Sequence, residues 1–375
     1  MGTLVEGLPV SSPLPSLDEL LDKLSGVGGS DLHLKVGSPP VFRINGVVHR
    51  AELPTLTPDD TEHYLNGIIT DRARHTFNEA GEADFAISRP GRGRFRVSSF
   101  RQRGSVSLVL RRVSPVKGTF RELGLPGVVL EKLADERPGL VFVTGPAGSG
   151  KTTTAGALIN RINATRRTSV VTLEDPIEIL YPDQQSIISQ REIGVDTASY
   201  AVGITAAVGQ DTDVIFVGGL PDMETMTAAI NAAESGHLII AVLPTFDGVE
   251  TIRRLVEFFP PHQQQKIRKT LATNLKGIVS QQLIPRADGK GRVAAVEVLV
   301  NTERVAARIA DPELLDEIVE DIAEGDFFGM RSYDQAIFKL YENGDISFEA
   351  ATSHAASVTD FKAAAQGRRL ERVAN

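Results

Sequence analysis

The stretch Gly145-Pro-Ala-Gly-Ser-Gly-Lys-Thr152 follows the pattern G-x-x-x-x-G-K-[ST] and stands between two segments of opposite character. Leu140-Val-Phe-Val-Thr144 before it is apolar enough for a buried strand. After it, Thr153 to Asn163 carries Ala157, Leu158 and Ile162 at helical spacing. Strand, glycine loop and helix in that order make a phosphate-binding loop. The glycines let the backbone close into a cup of N–H groups, Lys151 reaches the β- and γ-phosphates, and the Thr152 hydroxyl joins a Mg²⁺ shell. The expected ligand is a nucleoside triphosphate, held by Gly145, Pro146, Ala147, Gly148, Ser149, Gly150, Lys151, Thr152 and Thr153.

Downstream, Val170-Val-Thr-Leu173, Val214-Ile-Phe-Val217 and Leu238-Ile-Ile-Ala-Val242 are short apolar runs separated by helix-length segments. That is the signature of a parallel α/β sheet, and it places Glu174, Asp175 and Gly218 to Asp222 beside the loop, outside the carboxyl ends of the strands. Glu174 and Asp175 admit two readings, a site pair or a helix-start cap beside Pro176. After residue 250 the pattern turns helical, with one further strand expected over Val293 to Val300.

Upstream the character differs. Leu17, Leu20, Leu21 and Leu24 form one helical face, then Leu32 to Val36, Val41 to Ile44 and Val47-Val48 read as strands with Asn45-Gly46 as a hairpin turn. Thr57 before Pro58-Asp-Asp60 reads as a helix N-cap. Arg94 to Ser98 and Ser105 to Leu110 complete a small α+β domain over residues 30 to 113, and Pro115 to Gly118 marks a boundary near 116. The expected division is a disordered 1–15, a first domain over 16–115 and a second over 116–375.

The length of 375 residues accommodates two such domains at ordinary globular composition. The absence of cysteine excludes disulfides, thiolate metal sites and a Cys nucleophile. No apolar run approaches the roughly 20 residues of a membrane span, and Met1 to Pro15 lacks the regions of a secretory signal, so a cytoplasmic protein without membrane insertion is expected. A net charge of -8 argues against whole-protein attraction to nucleic acid. Two basic strips remain. Arg161, Arg166 and Arg167 are expected to complement the dipole at the end of the helix after the loop, while Arg96, Arg103 and Arg111 are either charge-stabilising groups or a solvated strand face. His33 reads as a packed strand residue, and His237 as a local hydrogen-bonding group. Phe327, Phe328, Tyr333, Phe338 and Tyr341 lie at near-helical spacing, as core or as a docking stripe.

Taken together, Ser30-Asp-Leu-His-Leu34 with Gly37-Ser-Pro-Pro40, Arg94-Phe-Arg96, Gly145 to Thr152, Glu174-Asp-Pro-Ile-Glu178, Gln190-Arg-Glu192, Ala233-Glu-Ser-Gly-His237, Ile278-Val-Ser-Gln281 and Met330-Arg-Ser-Tyr-Asp334 resemble the secretion-ATPase superfamily, most closely its PilT-like twitching-motility (type IV pilus retraction) ATPases. The resemblance spans about residues 17 to 355. It implies a PAS-like N-terminal domain, a RecA-like P-loop ATPase domain with a helical C-terminal part, and a homohexameric ring holding ATP and Mg²⁺ between chains. It further implies that Arg96, Arg103 or Arg111 reaches a neighbour's phosphates, and that Glu174 and Asp175 form the family's Asp-box, with Asp175 assisting Thr152 at the metal.

Four positions depart from the family pattern. Where the family runs Gly-Glu-x-Arg-Asp, this chain has Gly218-Gly219-Leu-Pro221-Asp222, and Pro244 stands where a phosphate-sensing histidine is expected. Val208-Gly209-Gln-Asp-Thr-Asp213 replaces Leu-Arg-x-Asp-Pro-Asp, and Arg304-Val-Ala-Ala-Arg-Ile-Ala-Asp311 replaces the retraction-type signature. The expectation is therefore ATP binding with hydrolysis impaired, either in a hexamer of this chain or as a non-catalytic assembly or regulatory subunit in a mixed ring with an intact homologous ATPase, beneath the inner-membrane platform of the type IV pilus. A helicase on the same core fold is disfavoured by the acidic balance and by the lack of interleaved aromatic and basic residues.

Overall fold

The computed structural model describes residues 14–115, 118–359 and 361–366. The expected disordered start lies, through residue 13, outside the described residues, as does the boundary position 116. The chain divides into two compact units, Met1–Pro115 with Glu178–Leu180 and Val116–Ile177 with Tyr181–Asn375.

The first unit opens with α1 (Leu17–Gly26), started by a reciprocal cap in which the Ser16 hydroxyl accepts from Glu19 N and the Glu19 carboxylate accepts from Ser16 N. Leu17, Leu20, Leu21 and Leu24 are all buried, each burial stabilising by about 1.5–3 kcal/mol. They pack with Leu32, Leu34, Phe42, Phe95 and Leu110 of a six-stranded antiparallel sheet. Its strands are β1 (Asp31–Lys35), β2 (Val41–Ile44), β3 (Val47–Arg50), β4 (Glu82–Arg89), β5 (Gly93–Gln102) and β6 (Ser105–Arg112), in the order β3-β2-β1-β6-β5-β4. The β2–β3 turn is Asn45-Gly46, both at positive φ as a tight hairpin of this hand requires. Arg103-Gly104 does the same between β5 and β6. The helix α2 (Pro58–Asn66) begins at the Thr57 cap as expected. Residues 71–89, to which the sequence reading assigned no element, form α3 (Asp71–Ala80) and the edge strand β4. A two-stranded parallel ribbon, β7 (Ser114–Pro115) with β10 (Ile179–Leu180), brings the short excursion at 178–180 into this unit.

The second unit is built on a seven-stranded sheet in the order β11-β9-β12-β13-β8-β14-β15. Its strands are β8 (Gly139–Thr144), β9 (Ser169–Glu174), β11 (Ile187–Glu192), β12 (Val214–Val217), β13 (Leu238–Leu243), β14 (Leu275–Pro285) and β15 (Arg292–Val300). All neighbours run parallel except β14 and β15. Strands buried on both faces read as unbroken apolar runs, and β8, β12 and β13 are buried at every residue. Helices α4 (Gly127–Asp135), α5 (Lys151–Thr165), α6 (Tyr200–Val208), α7 (Met223–Glu234), α8 (Gly248–Glu257), α9 (Pro261–Asn274), α10 (Glu303–Ala310), α11 (Ile318–Glu324), α12 (Tyr333–Glu342) and α13 (Phe348–His354) complete the unit. The result is the expected α/β class, a RecA-like P-loop domain preceded by a smaller α+β unit.

Two expectations fail here and a third holds only in part. The segment after residue 250 is not helical with a single strand, because β14 inserts beside β8 as a central strand. Its apolar run is interrupted by Ser280 and Gln281, both buried and both hydrogen-bonded to the segment at the end of β8, so the strand signal is masked by polar residues with tertiary partners. Arg166 does not serve the end of its own helix; its Nη1 donates to the Ala134 and Glu136 carbonyls at 2.8 and 2.9 Å, closing α4 instead. The aromatic stripe holds as core only over Tyr333, Phe338 and Tyr341, which share one apolar cluster. Phe327 and Phe328 are exposed in a 3₁₀ turn, whereas Tyr341 packs edge-on against Phe348 and Phe361.

Gly277 stands at the register shift between β14 and β8, where a Cβ would lie 2.8 Å from the Leu299 carbonyl and 2.9 Å from Leu133 Cδ2. Gly277→Ala is expected to lower stability by about 1–3 kcal/mol, because the first of these neighbours is backbone and cannot rotate away. Urea unfolding of the variant against the wild type checks it; an unchanged midpoint would show that β14 has slack at this point.

Candidate functional site

Strand β8 ends at Thr144 and the chain turns at once through Gly145 and Gly148 (φ 146° and 75°) to Gly150, which caps α5 in the left-handed region at φ 90°. The first turn of α5 therefore presents backbone N–H groups without intrahelical partners and the positive end of a helix dipole, the physical basis of anion binding. The Lys151 ammonium folds over the loop, donating to the Gly145 and Pro146 carbonyls at 2.6 and 2.8 Å. Thr152 and Thr153 follow on the first turn of α5, while Ala147 and Gly148 are exposed and Ser149 is buried. Arg292, at the start of β15, donates to the Gly148 carbonyl at 3.3 Å.

The loop rests on Gln281 of β14. This side chain, 3 % exposed, donates from Nε2 to the Ser149 carbonyl at 2.7 Å and accepts from Thr154 Oγ1 at 2.5 Å. The neighbouring Ser280 hydroxyl accepts from Thr144 at 2.9 Å. In the sequence Gln281 stands only as part of the Ile278-Val-Ser-Gln281 signature, and the signal that marks it is an amide inside an otherwise apolar run.

The carboxyl ends of β9, β12 and β13 open on the same edge of the sheet as the loop. Glu174 at the end of β9 is 4 % exposed, accepting from Thr172 Oγ1 at 2.7 Å and from Gln190 Nε2 at 3.2 Å. Asp175, its neighbour, is exposed. At the end of β12, Gly218 and Gly219 lie beneath the Tyr200 phenol, whose oxygen is 3.6 and 3.7 Å from where their Cβ atoms would be. Asp222, the carboxylate nearest in sequence, accepts from Thr225 N at 2.8 Å as the N-cap of α7. His237 sits at the opposite end of its strand, hydrogen-bonded through Nδ1 to the Ala232 carbonyl at 2.9 Å, in keeping with a local role.

After β13, Pro244 is exposed and the following turn is anchored from below. Thr245 and Thr251 share a hydrogen bond of 2.7 Å, Tyr333 donates to the Phe246 carbonyl at 2.9 Å, and buried Glu297 of β15 accepts from Gly248 N at 2.9 Å. Burial pushes the Glu297 carboxyl up to about 7; the Gly248 and Tyr333 backbone hydrogen bonds oppose this, while Asp247 and Asp334 reinforce it.

Within the second unit, a cavity of about 810 Å³ runs along α5, lined among others by Arg121, Leu125, Arg161, Arg286, Arg331 and Lys339. No group of three or more His, Cys, Asp or Glu able to hold a metal occurs among the described residues. Magnesium needs no such cage, since it keeps several waters and takes one or two protein oxygens beside the phosphates. The Thr152 hydroxyl on the first turn of α5 fits that donor set.

In the first unit, Arg96 and Arg111 are direct cross-strand partners, and Arg111 is in turn paired across to Asp31. The Arg111 Nε lies 2.7 Å from the buried Asp31 carboxylate, which also accepts from Ser30 Oγ at 2.7 Å. Burial raises the Asp31 pKa, but these hydrogen bonds outweigh it and hold the carboxyl below its ordinary value. The Arg111 side chain is still 69 % exposed. Arg96 is 3.8 Å from Asp84. Arg103 does not join them; it occupies the β5–β6 turn at φ 51°.

A family model described as type II/IV secretion system protein matches residues 41–321. The chain is 39% identical over 345 residues to the type IV pilus ATPase PilU of Pseudomonas aeruginosa, covering 92% of this chain and 90% of that protein. It is 36% identical over 339 residues to the type IV pilus retraction ATPase PilT of the same organism, covering 90% and 98%. Among solved structures, the pilus retraction motor PilT with bound ADP superposes with a TM-score of 0.82 at 39% identity, over 92% of this chain and 98% of that one.

The turn after β13 yields a pH-dependent prediction. Unfolded, the Glu297 carboxyl ionises near its ordinary value of 4.5, while in the fold it keeps its proton to about 7. The folded protein therefore holds the extra proton between those values, and stability falls as pH rises through that window. Glu297→Gln, which cannot ionise, is expected to remove this fall, its stability relative to wild type rising from below pH 4.5 to above about 7. Urea unfolding across that range checks it; a difference between the two proteins that does not vary with pH would contradict it.

Proposed function

The chain belongs to the type II/IV secretion system protein family and is homologous to the PilT and PilU type IV pilus motility ATPases; on that premise we propose that it is an ATP-binding ring subunit of the twitching machinery whose own hydrolysis is impaired. The observation that carries the reading is the contrast between the two halves of the site. The loop of residues 145–153, Lys151 and Thr152 supply what triphosphate binding needs, while the end of β12 holds two glycines under a phenol and the end of β13 holds Pro244.

In this reading the Lys151 ammonium moves from the Gly145 and Pro146 carbonyls onto the β- and γ-phosphates, and the loop amides hold the phosphate oxygens. Thr152, with Asp175 near the same edge, would hold Mg²⁺, which supplies charge neutralisation at the phosphates when bound. Glu174 is the carboxylate left to orient a water, positioned by Thr172 and Gln190. A positioned general base contributes about 10²–10⁴ in rate, and no second carboxylate replaces the one absent at Gly219. Arg96 and Arg111 are the pair from the first domain, residues 16–115, assigned to a neighbouring chain's phosphates in a hexamer, with Arg103 at a separate turn. The ATPase domain, 116–375, would carry the rest. No helix among the described residues is long and apolar enough to cross a membrane, and the proposed place of action is the cytoplasmic face of the inner membrane, through the pilus platform.

The glycines beneath Tyr200 and the proline at 244 favour a second reading, a non-catalytic assembly or regulatory subunit that enters a mixed ring with an intact homologue.

Calorimetric titration is expected to show Mg-ATP binding by the wild type and none by Lys151→Ala; equal affinities would defeat the nucleotide assignment. Steady-state turnover is expected to be at least ~10²-fold below that of a relative retaining the carboxylate, with Gly219→Glu recovering little because residues that act as a unit are not additive. Turnover equal to the relative's would sink the claim of impairment. Light scattering with ATP, alone and mixed with that relative, separates a ring of this chain from a mixed ring, and monomers in both samples would contradict both readings.

A further inference from the structure

We propose that Gln281 is a positioning residue for nucleotide binding, holding the phosphate loop open through Ser149 and Thr154. The inference rests on the reading of residues 145–153 as the nucleotide site. Gln281 lies on β14, one residue past the Ser280–Thr144 pairing that ends the β14–β8 ladder, so its side chain reaches the loop where β8 stops. A buried amide costs free energy unless its groups are paired. Here the carboxamide spans two points of one loop, donating to the Ser149 carbonyl and accepting from Thr154 Oγ1.

The first of these contacts sets the direction of an amide. The Ser149–Gly150 peptide unit is planar and trans, so its C=O and N–H point in opposite directions. With the carbonyl drawn onto Gln281, the Gly150 N–H faces away from β14. The second contact holds the opening turn of α5, because Thr154 is hydrogen-bonded to Gln281 while its own N–H closes the helix onto Gly150 O at 3.0 Å. Lys151, Thr152 and Thr153 are the residues strung between these two anchors. Gln281 touches no phosphate in this arrangement; it acts through the loop.

The effect is expected to depend on how many phosphates the ligand carries, because the loop amides serve the α- and β-phosphates. Gln281→Met keeps the length and fills the space without either hydrogen bond. Titration of wild type and variant with ADP and with AMP is expected to show ADP affinity falling by about tenfold, the scale of lost buried hydrogen bonds, with AMP affinity falling by clearly less because AMP keeps only one of the two phosphates the amides serve. A role confined to general stability would lower both together by reducing the folded fraction. Thr154→Val, which removes one anchor, is expected to lower ADP affinity by less and to add little in the double variant; it also keeps the test open if Gln281→Met does not fold. Parallel loss of ADP and AMP binding, or no loss of either, overturns the proposal. Wild-type protein that binds neither nucleotide overturns instead the nucleotide reading beneath it.

Discussion

The carboxyl edge of the seven-stranded sheet depends on a close approach between β14 and the loop that follows β8, and glycine is what permits it. A Cβ on Gly145 would collide with the Gln281 carbonyl and the Ser149 hydroxyl, and one on Gly150 would lie 2.6 Å from Gln281 Nε2. Both positions also sit at positive φ. The glycines are thus required twice, once for the turn itself and once for the strand lying against it. With the approach made, a polar side chain from β14 can replace the structural role a longer loop would need. The N-terminus of α5 is thereby held at the end of β8.

Around that fixed point, several acidic residues of the second unit hold backbone. Asp222 caps α7, Asp247 caps α8, and Glu192 accepts from Ile177 N at 3.2 Å. Glu297 holds Gly248 at the start of α8. These carboxylates fix the ends of strands and helices that converge on the site, and Glu174 at the end of β9 accepts from two side chains, Thr172 and Gln190. On the proposed reading, binding and hydrolysis separate for this reason. Backbone amides and a lysine suffice to cradle phosphates, whereas activating water needs a carboxylate at a particular point, and at the end of β12 the space above Gly218 and Gly219 is bordered by the Tyr200 ring.

The first unit solves a different problem. A row of cross-strand partners on β2, β1, β6 and β5 sets Arg43, Asp31, Arg111 and Arg96 side by side. Like charges in such a row repel, and the buried Asp31 between Arg43 and Arg111 offsets this, with the Ser30 hydroxyl completing its hydrogen bonding. The arginines keep an exposed surface while being fixed in direction at their base.

Much of this was legible in the chain itself. The loop and its flanks, the apolar strands β8, β9, β12 and β13, the cap at Thr57 and the Asn45-Gly46 hairpin follow from local rules, because each depends on residues within a few positions of one another. What escaped was whatever depended on a distant partner. β14 looked helical in context because its buried Ser280 and Gln281 make sense only opposite Thr144, Ser149 and Thr154. Arg166 seemed to serve its own helix until α4 was placed against it. Arg96, Arg103 and Arg111 read alike in sequence, yet strand register pairs two of them and leaves the third in a turn. A side chain's period along the chain reveals which way it faces, but not which polar group from elsewhere in the chain will meet it there, and in this protein those meetings shape the candidate site.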